Sequence, residues 1–398
     1  MAATAPVNTT LTARINRIEI SATLAVVNEA DRMRAAGADL VDFGAGEPHF
    51  NTPQHIKDAG IAAIQNNFTK YTPVGGTGEL RDAIIGRHRQ DFGSSYAREE
   101  CIAATGGKQA LFNAVQVLVE HGDEVIIPVP YWVSFKDIVR YAGGEPVFVE
   151  SDEANGFAIT LDMIERAVTP RTKAIILNSP SNPSGAVISP EELTKIVSMA
   201  QRRGIFVISD ECYVYLNYTG KRFSLGSLAD AKESLVIIGS LSKTYAMTGW
   251  RLGYALGPKP IVSALQKLQS QSTSNPTSIV QKAAVAALTA SQKCLDDMVA
   301  EYIQLRDQMV NGLRQLPGVK CNMPYGAFYA YPNVSAFFGR GGIKSAAEIA
   351  GRLLKEASVV CVPGEAFGTE QHIRVSYATS NKEIGRGLER MKSFFAAL

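Results

Sequence analysis

Residues 234–254 read SLVIIGSLSKTYAMTGWRLGY, and this stretch decides how the rest of the chain is interpreted. Its first part, LVIIG, is a short continuous apolar run rich in β-branched residues, which is typical of a strand buried on both faces of a sheet. The run ends among hydroxyl residues at Lys243, and Arg251 follows eight residues later. We therefore expect a buried strand, and the residues at its end raise the question whether Lys243 is an ordinary surface lysine or one placed for chemistry.

Four further apolar runs of this kind precede it: EVIIPV, EPVFVE, KAIILN and IFVISD. Most are separated by amphipathic helical patterns, such as GKQALFNAVQVLVEHG and SPEELTKIVSMAQRRG. In the second pattern we expect Ser189 to cap the helix, Pro190 to be its first residue, Glu192 to complete a capping box and Gly204 to end it. Alternating strands and helices predict an α/β domain with a mostly parallel sheet sandwiched by helices.

The C-terminal part has an α+β pattern. A long helix is predicted from near Leu295, followed by apparent strands at VKCNMP and AFYAYP and a helix at SAAEIAGRLLKEA. Strands at SVVCVP and HIRVSYA come next, and a capping box at Ser380 and Glu383 opens the last helix. The expected divisions are 1–50, an N-terminal segment that packs on the small domain or a partner chain, 51–295, the large domain, and 296–398, a small α+β domain.

Length and composition exclude several classes of protein. A chain of 398 residues is too long for one compact core. The net charge of +2, without a dense Lys/Arg block, gives no reason to expect nucleic acid or a membrane surface as a partner. No apolar run reaches about 18 residues, and the first residues lack the apolar core of a signal peptide.

Cysteine and histidine spacing favours a reduced, metal-free protein. The five cysteines are far apart and include no C-x-x-C pair, so we expect a cytoplasmic protein without disulfides. Cys212 is expected to be a small buried filler near the site. The five histidines show no metal-ligand spacing, and no metal is expected.

Polar residues follow four of the predicted strands. CIAAT ends at Gly106-Gly107-Lys108, KAIIL at NSPSNPSG, IFVIS at DECY, and SLVIIGS at LSKTY. Ligands of open parallel sheets bind beyond the carboxyl ends of the strands. The four strand ends should therefore converge on one pocket.

Several of these residues suit an anion such as a phosphate. Gly106 and Gly107 stand at a helix start, where free N–H groups favour negative charge and glycine permits close approach. Ser240, Ser242 and Arg251 add hydroxyl groups and a guanidinium to the same end of the sheet.

The other two groups are a carboxylate and an amine. Asp210 ends a buried strand, where a carboxylate needs a cationic partner. Lys243 places an amine near that carboxylate and near the anion site. A phosphate cradle, a carboxylate for a ring nitrogen and an amine for an aldehyde together indicate a pyridoxal phosphate pocket.

Six motifs resemble those of the fold-type I, class I aminotransferases, especially the bacterial aspartate aminotransferases: SLSKTYAMTGWRLGY, NSPSNPSG, SDECYVYL, TGGKQALFNA, PYWVSF and HIRVSYAT. The resemblance extends from GAGEPHFNTP to RVSYATS in the family's order. It implies a seven-stranded large domain, pyridoxal phosphate as cofactor, ping-pong transfer of an amino group between an amino acid and a 2-oxo acid, and a homodimer with shared active sites.

The resemblance also implies roles for individual residues. Lys243 resembles the lysine that binds the cofactor covalently and later moves the proton, and Asp210 the partner of the ring nitrogen. Tyr213 and Asn182 resemble the residues bonded to the cofactor's 3′-oxygen. The residues at phosphate-binding positions are Gly107, Lys108, Ser240, Ser242, Arg251 and, from the neighbouring subunit, Tyr71. The residues expected to contact the substrate are Gly46, Lys108, Asn182, Arg374, which resembles the clamp of the α-carboxylate, and Trp132, which also stacks on the cofactor ring.

The identity of the substrate stays open at this stage. Lys108 either faces a second substrate carboxylate or only helps to neutralise the phosphate. The family's K-P-S-A-T is EISAT here, so Glu19 and Ile20 replace the lysine and proline, and His49 replaces the aspartate of G-E-P-D. We expect aspartate with 2-oxoglutarate as the leading pair, with an aromatic, prephenate-like or small neutral substrate as the alternative.

Two other functions remain to be compared with amino transfer. The same pocket serves a β-lyase, a decarboxylase or a synthase that eliminates at Cγ, and release of ammonia or CO₂ would distinguish these. A non-enzymatic regulator on this fold normally carries a DNA-binding domain, for which there is no room before Gly46, and the catalytic-type lysine is present.

Overall fold

The computed structural model describes residues 10–19 and 22–398; Ile20, one of the departures noted above, lies outside the described residues. The strands are β1 (Val41–Asp42), β2 (Cys101–Ala104), β3 (Glu124–Val129), β4 (Glu145–Glu150), β5 (Thr172–Asn178), β6 (Phe206–Asp210), β7 (Leu235–Ser240), β8 (Gly253–Leu256), β9 (Tyr329–Ala330), β10 (Val359–Val360), β11 (Val362–Pro363) and β12 (Ile373–Ser376). The α-helices are α1 (Ala22–Ala35), α2 (Gln54–Gln65), α3 (Gly78–Phe92), α4 (Gly107–Leu118), α5 (Ser134–Ala142), α6 (Leu161–Ala167), α7 (Pro190–Arg202), α8 (Leu241–Thr244), α9 (Lys259–Ser270), α10 (Ser278–Thr289), α11 (Lys293–Arg314), α12 (Ala346–Ala357) and α13 (Asn381–Ala396).

The large sheet has seven strands in the order β2-β8-β7-β6-β5-β3-β4. The pairs from β7 through β4 are parallel, whereas β8 is antiparallel to both β7 and β2. The expected mostly parallel, seven-stranded α/β sheet is thus confirmed. β8 is not among the strands predicted from the sequence, because its apolar run, LGYAL, is short and follows the polar residues around Lys243.

Both faces of the sheet are covered by helices, as the continuous apolar runs predict. Consecutive residues of β7 enter different cores: Ile237 packs in the cluster that includes α3, α7 and α10 residues. Ile238 packs in the cluster that includes α4, α5 and α9 residues. Side chains of a strand alternate between its two faces, so a strand covered on both sides must be apolar throughout.

In α7, Ser189, Pro190 and Gly204 have their predicted places, whereas the capping box predicted at Glu192 is wrong. The Ser189 hydroxyl accepts a hydrogen bond from the Glu192 backbone N–H at 3.2 Å, and Gly204 follows the helix with a φ of +68°. The Glu192 carboxylate does not complete a capping box. It accepts instead from the backbone N–H of Leu161, at the start of α6, at 2.8 Å.

The C-terminal region forms a separate three-stranded antiparallel sheet in the order β11-β12-β9. VKCNMP was wrongly predicted to be a strand; it contributes only an isolated bridge between Lys320 and Asn333. The predicted capping box is half present, since the Ser380 hydroxyl accepts from the Glu383 N–H at 3.2 Å at the start of α13.

One helix and one pair of strands connect the proposed domains. The proposed boundary at 295/296 falls inside the continuous helix α11. β1 pairs in parallel with β10, which joins the end of the 1–50 segment to the C-terminal region. In the part of the chain that the structure describes, no helix is both long and apolar enough to cross a membrane.

Candidate active site

A cavity of about 330 Å³ opens at the carboxyl ends of β5, β6 and β7 and at the start of α4. The edge of a parallel sheet leaves such a space because the chain departs from neighbouring strands in different directions. The cavity is lined by Gly46, Gly107, Lys108, Trp132, Val133, Ser134, Asn178, Asn182, Asp210, Cys212, Tyr213, Ser240, Ser242, Lys243, Thr248, Arg251, Tyr329 and Arg374.

Asp210 is a buried carboxylate at the end of β6. One of its oxygens accepts a hydrogen bond from the backbone N–H of Cys212 at 3.1 Å. Burial raises the pKa of Asp210 to about 6, and that single hydrogen bond only partly opposes the rise. Burial therefore makes the ionised form of this carboxyl group costly, and a cation that approaches it would lower that cost.

Asn178 connects the ends of β5 and β6. Its side-chain amide donates to the Asp210 carbonyl oxygen at 3.0 Å, and its side-chain oxygen accepts from the Asn182 N–H at 2.9 Å. The asparagine therefore holds the loop that carries Asn182 against the strand that carries Asp210. Sequence reasoning did not single it out, although it stands at the end of the KAIILN run.

Lys243 lies in the short helix α8 and reaches across the cavity. Its ammonium group donates to the carbonyl oxygen of Gly46. Burial lowers the pKa of Lys243, and the nearby positive charges of Arg374 and Arg251 lower it further, whereas Glu47 opposes them. The lowered pKa makes the neutral amine more accessible than in an ordinary lysine, and the neutral form is the one that reacts with carbonyl carbon and accepts a proton.

The groups expected to bind an anion meet at one end of the cavity. α4 begins at Gly107 with free N–H groups, and Ser240 and Ser242 adjoin it; the Ser240 hydroxyl accepts from the Ser242 N–H at 3.2 Å. The Arg251 guanidinium lies against Gly106, where a Cβ atom would come within 2.6 Å of it. Only glycine fits there, because Gly106 also has a φ of +89°.

These observations fit pyridoxal phosphate. The cradle of N–H, hydroxyl and guanidinium groups matches a phosphate, the uncompensated Asp210 matches a protonated ring nitrogen, and the Lys243 amine matches an aldehyde. The three chemistries line a single cavity, as one elongated molecule requires.

Arg374 is buried on the opposite wall. Its two Nη atoms donate to the Asn182 side-chain oxygen at 3.1 Å and to the Gly44 carbonyl oxygen at 2.8 Å. Its Nε atom is buried and has no hydrogen-bond partner among the described residues. The guanidinium lies 4.4 Å from the centre of the Tyr329 ring. It is oriented by these contacts and still has donors to offer a ligand.

Two phenols lie side by side next to Arg374. The hydroxyl oxygens of Tyr213 and Tyr329 are 2.9 Å apart, and both residues are buried. Tyr329, in the AFYAYP run, is the main site residue that sequence reasoning missed. Its only signal was an aromatic residue in a predicted strand, which is normally a core position.

Lys108 lies in the first turn of α4 and lines the cavity. Its ammonium group is 4.9 Å from the centre of the Trp132 ring. Burial lowers the pKa of Lys108, and the charge of Arg251 adds to the effect. The lysine is thus placed between the anion cradle and the aromatic wall of the cavity.

Most of the predicted site residues line this cavity together; Tyr71 does not. The Tyr71 side chain is 92% exposed. Cys212, expected to be a buried filler, is half-buried and forms part of the cavity wall. Thr248 is a further lining residue that was not anticipated, and its hydroxyl donates to Glu47 at 2.8 Å.

The two departures from the aspartate-type pattern within the described residues are accounted for by local partners. The largely exposed Glu19 carboxylate is 3.0 Å from the Lys136 ammonium, whose hydrogen bond and charge lower the pKa of Glu19. His49 lies outside the cavity wall, with its Nε2 atom 3.0 Å from the Glu301 carboxylate on α11. Neither side chain lines the cavity.

Comparison with known proteins gives a consistent result. Residues 38–391 match the family model for aminotransferase class I and II. The chain is 45% identical to an aspartate aminotransferase of Geobacillus stearothermophilus, over 97% of this chain and 99% of the relative. It is 42% identical to an aspartate/prephenate aminotransferase of Nitrosomonas europaea, over 97% and 100%. The solved structure of Thermus thermophilus aspartate aminotransferase with maleate superposes with a TM-score of 0.92 at 41% identity, over 96% and 99%.

Proposed function

The chain belongs to the class I and II aminotransferases and is a pyridoxal phosphate-dependent transaminase, and we propose that it moves the amino group of L-aspartate to 2-oxoglutarate. The observation that carries the proposal is the set of charges in one cavity. Beyond the buried carboxylate of Asp210 and the amine of Lys243, Arg374 and Lys108 supply a cation for each carboxylate of a dicarboxylic substrate.

The cofactor site is proposed to be built from three groups of residues. When bound, pyridoxal phosphate supplies a reactive aldehyde carbon and an electron-withdrawing ring that stabilises negative charge at the substrate α-carbon. Asp210 would hold a proton on the ring nitrogen. Tyr213 and Asn182 would bind the 3′-oxygen, and Trp132 would stack on the ring. The phosphate would be held by Gly107, Ser240, Ser242 and Arg251.

Lys243 is proposed to do the proton transfer. Its amine is held in the cavity close to the Gly46 carbonyl, and burial lowers its pKa, so the neutral form is easier to reach than in an exposed lysine. A neutral amine at this position accepts the α-proton of the substrate as a general base and returns it as a general acid. The nearby positive charges of Arg251 and Arg374 favour the neutral form.

Arg374 is proposed to bind the substrate α-carboxylate, with Gly46 beside it. Its contacts with Asn182 and Gly44 fix the plane of the guanidinium, and its buried Nε–H has no described partner. An unpaired buried donor is costly, so a carboxylate that satisfies it gains affinity from a site that is already oriented. Lysine would not reproduce the planar, two-pronged contact.

Lys108 is proposed to bind the second carboxylate. Among the described cations that line the cavity, Lys243 is assigned to the cofactor, Arg251 to the phosphate and Arg374 to the α-carboxylate, which leaves Lys108. Glu19 is no obstacle to an acidic substrate, because Lys136 pairs with it. The Thermus thermophilus relative was solved with maleate, a dicarboxylate, which supports this assignment.

A bulkier, prephenate-like dicarboxylic oxo acid is the second candidate acceptor. The Nitrosomonas europaea relative is named for both aspartate and prephenate. The same two cations, Arg374 and Lys108, suit any substrate with two carboxylates, and the aromatic wall at Trp132 accommodates an apolar ring.

We also propose a homodimer in which each Tyr71 completes the phosphate site of the other subunit. The Tyr71 ring is 92% exposed in the single chain, so it is free to contact a second subunit. Mixing Tyr71→Ala and Lys243→Ala chains should restore about a quarter of the wild-type activity, since half of randomly paired dimers contain one intact site. No restoration would contradict a shared site.

A cytoplasmic location is supported by the free state of the five cysteines.

The substrate is tested with the variant Lys108→Met, which keeps the length of the side chain and removes its charge. If Lys108 binds the distal carboxylate, kcat/KM for aspartate should fall about 10- to 100-fold, the value of one charge-assisted hydrogen bond. For alanine and phenylalanine as substrates, kcat/KM should change less than threefold. Equal losses for all amino acids would instead make Lys108 a phosphate ligand.

Product analysis of the wild-type enzyme tests the reaction itself. One oxaloacetate should form for each glutamate, without ammonia or CO₂, and prephenate should be tried as acceptor in parallel. Single-turnover changes in the cofactor spectrum with aspartate, glutamate, alanine and phenylalanine give the order of substrates directly. A response to neutral amino acids alone would refute the dicarboxylate proposal.

A further inference from the structure

The contact between Tyr213 and Tyr329 has no role in the function proposed so far. Their hydroxyl oxygens are 2.9 Å apart, within hydrogen-bond distance. Both phenols are buried and both line the cavity. Tyr213 comes from the loop after β6 and Tyr329 from β9, so two separate sheets bring the hydroxyls together.

Counting protons shows what the pair can do. Each phenol carries one proton and also accepts hydrogen bonds. The bond between the two oxygens uses one of the two protons, and the other is available to an acceptor in the cavity. The direction of the bond therefore decides which tyrosine donates into the cavity: if Tyr329 donates to Tyr213, the Tyr213 proton is free for a ligand.

The position of Arg374 favours donation by Tyr329. Its guanidinium lies 4.4 Å from the centre of the Tyr329 ring. Burial raises the pKa of both phenols, and it raises that of Tyr213 to well above the ordinary value. The charge of Arg374 opposes the rise in both; it is the second-largest influence on Tyr329 and the smallest of those on Tyr213. In a bond between two phenols the more acidic one is the better donor, and the neighbouring cation makes that Tyr329.

We propose that Tyr329 is a positioning residue, whose hydroxyl donates to Tyr213 and so directs the Tyr213 proton to the cofactor oxygen in the cavity. The same ring supports Arg374, so one side chain connects the proposed α-carboxylate site with the proposed 3′-oxygen site. The inference rests on the role of Tyr213 in the proposed function.

A purely structural role makes a different prediction. If Tyr329 only packs beneath Arg374, then Tyr329→Phe, which keeps the ring, should leave the cofactor environment unchanged. If Tyr329 positions the Tyr213 proton, Tyr329→Phe weakens a donor to a negatively charged oxygen, and loss of such a donor raises the pKa of the acceptor.

The experiment is a pH titration of the visible absorption band of the cofactor-loaded enzyme. We expect the midpoint to rise by about half a pH unit in Tyr329→Phe and by more in Tyr213→Phe. The double variant should match Tyr213→Phe alone, because Tyr329 acts only through Tyr213. Tyr331→Phe is the matched control: its hydroxyl is bonded to Thr369 at 2.6 Å, away from the cavity, and its midpoint should equal that of the wild type.

Steady-state kinetics give a second readout. Tyr329→Phe should lower kcat about fivefold, the value of one neutral hydrogen bond, with KM for aspartate changed less than twofold, because the ring beneath Arg374 remains. Tyr329→Leu removes the ring and should also raise KM several-fold. Melting temperatures of all variants show whether each is folded.

The possible outcomes separate the two proposals. A shift in Tyr213→Phe without a shift in Tyr329→Phe overturns the positioning role and leaves the proposed function intact. A further shift when Tyr329→Phe is added to Tyr213→Phe also overturns it, since Tyr329 would then act by another route. No shift in Tyr213→Phe would refute the role of Tyr213 and the inference together.

Discussion

Asp210 and Glu211 are neighbours in the sequence, and both carboxyl groups are buried. One faces the open cavity and the other faces the packed core. Asp210 lines the cavity. Glu211 points into the core, where one of its oxygens accepts from the Ser209 hydroxyl and from the Leu225 N–H, each at 3.0 Å. Consecutive residues of an extended chain point to opposite sides, so the single step from the last residue of β6 to the next residue separates the two roles.

The comparison teaches that burial alone does not identify a functional carboxylate. Burial raises the pKa of Asp210 to about 6 and that of Glu211 to about 7. Glu211 faces a neutral histidine, because burial lowers the pKa of His88 to about 4. What distinguishes Asp210 is the open space before it, which can admit a cation. The carboxylate with few partners beside a cavity is the functional one.

The largest expected effect is on catalysis, where the two carboxyl groups should differ most. Asp210→Asn removes the charge that holds a proton on the ring nitrogen and should lower kcat about 10²- to 10³-fold, in the range found for preorganised electrostatic groups. Glu211→Gln keeps the oxygen that accepts from Ser209 and Leu225 and should change kcat less than threefold. Steady-state assays of both variants measure the difference. A similar loss of kcat in both variants would show that the two carboxyl groups do not differ in function.

The next effect concerns stability against pH in the cofactor-free protein. Each carboxyl group has a folded pKa above its ordinary value, so the fold binds its proton more tightly and loses stability as pH rises. For Asp210 the stability is lost between pH 3.8, the ordinary pKa, and about pH 6, the folded pKa. For Glu211 it is lost between pH 4.5 and about pH 7. The loss amounts to about 3 kcal/mol each.

Asp210→Asn and Glu211→Gln should therefore both raise the melting temperature at pH 8 and leave it nearly unchanged at pH 4. Loading with cofactor sharpens the comparison. A cation paired with Asp210 removes its penalty, so Asp210→Asn should no longer stabilise the loaded enzyme, whereas Glu211→Gln still should. Stabilisation of the loaded enzyme by Asp210→Asn would show that no cation reaches this carboxylate.

The smallest expected effect concerns Glu19, an exposed carboxylate. Exposed ion pairs contribute about 0.2–1 kcal/mol, and Glu19 is paired with Lys136 outside the cavity wall. Glu19→Gln should change KM for aspartate less than twofold. Glu29→Gln, which breaks an exposed pair with Arg32, is the matched control. A several-fold lower KM for aspartate but not for alanine would mean that Glu19 repels the distal carboxylate.

Much of the large domain was predictable from local sequence. Runs such as LVIIG and AIIL are apolar at every position because helices cover both faces of the sheet, and the polar residues that follow them line one cavity. The cap at Ser189 and the end of its helix at Gly204 were also predictable, because they depend on residues within one helical turn.

Contacts between distant segments were less accessible. The Glu192 carboxylate bonds with the start of α6 and not with its own cap, and VKCNMP forms a single bridge where a strand was expected. Both outcomes depend on which segment lies alongside. β8 was not predicted as a strand, and its antiparallel pairing with β2 and β7 likewise depends on which segments lie alongside.

The sequence by itself determined the alternation of strands and helices, the strand ends that carry Asp210 and Lys243, and the glycines at the start of α4. These follow from side-chain periodicity and backbone sterics, which act over a few residues. Only the tertiary structure decided that Tyr329 meets Tyr213 beneath Arg374, and that Glu19 has Lys136 as its partner. Such pairings depend on how separate segments pack, and local sequence carries no record of the distance between them.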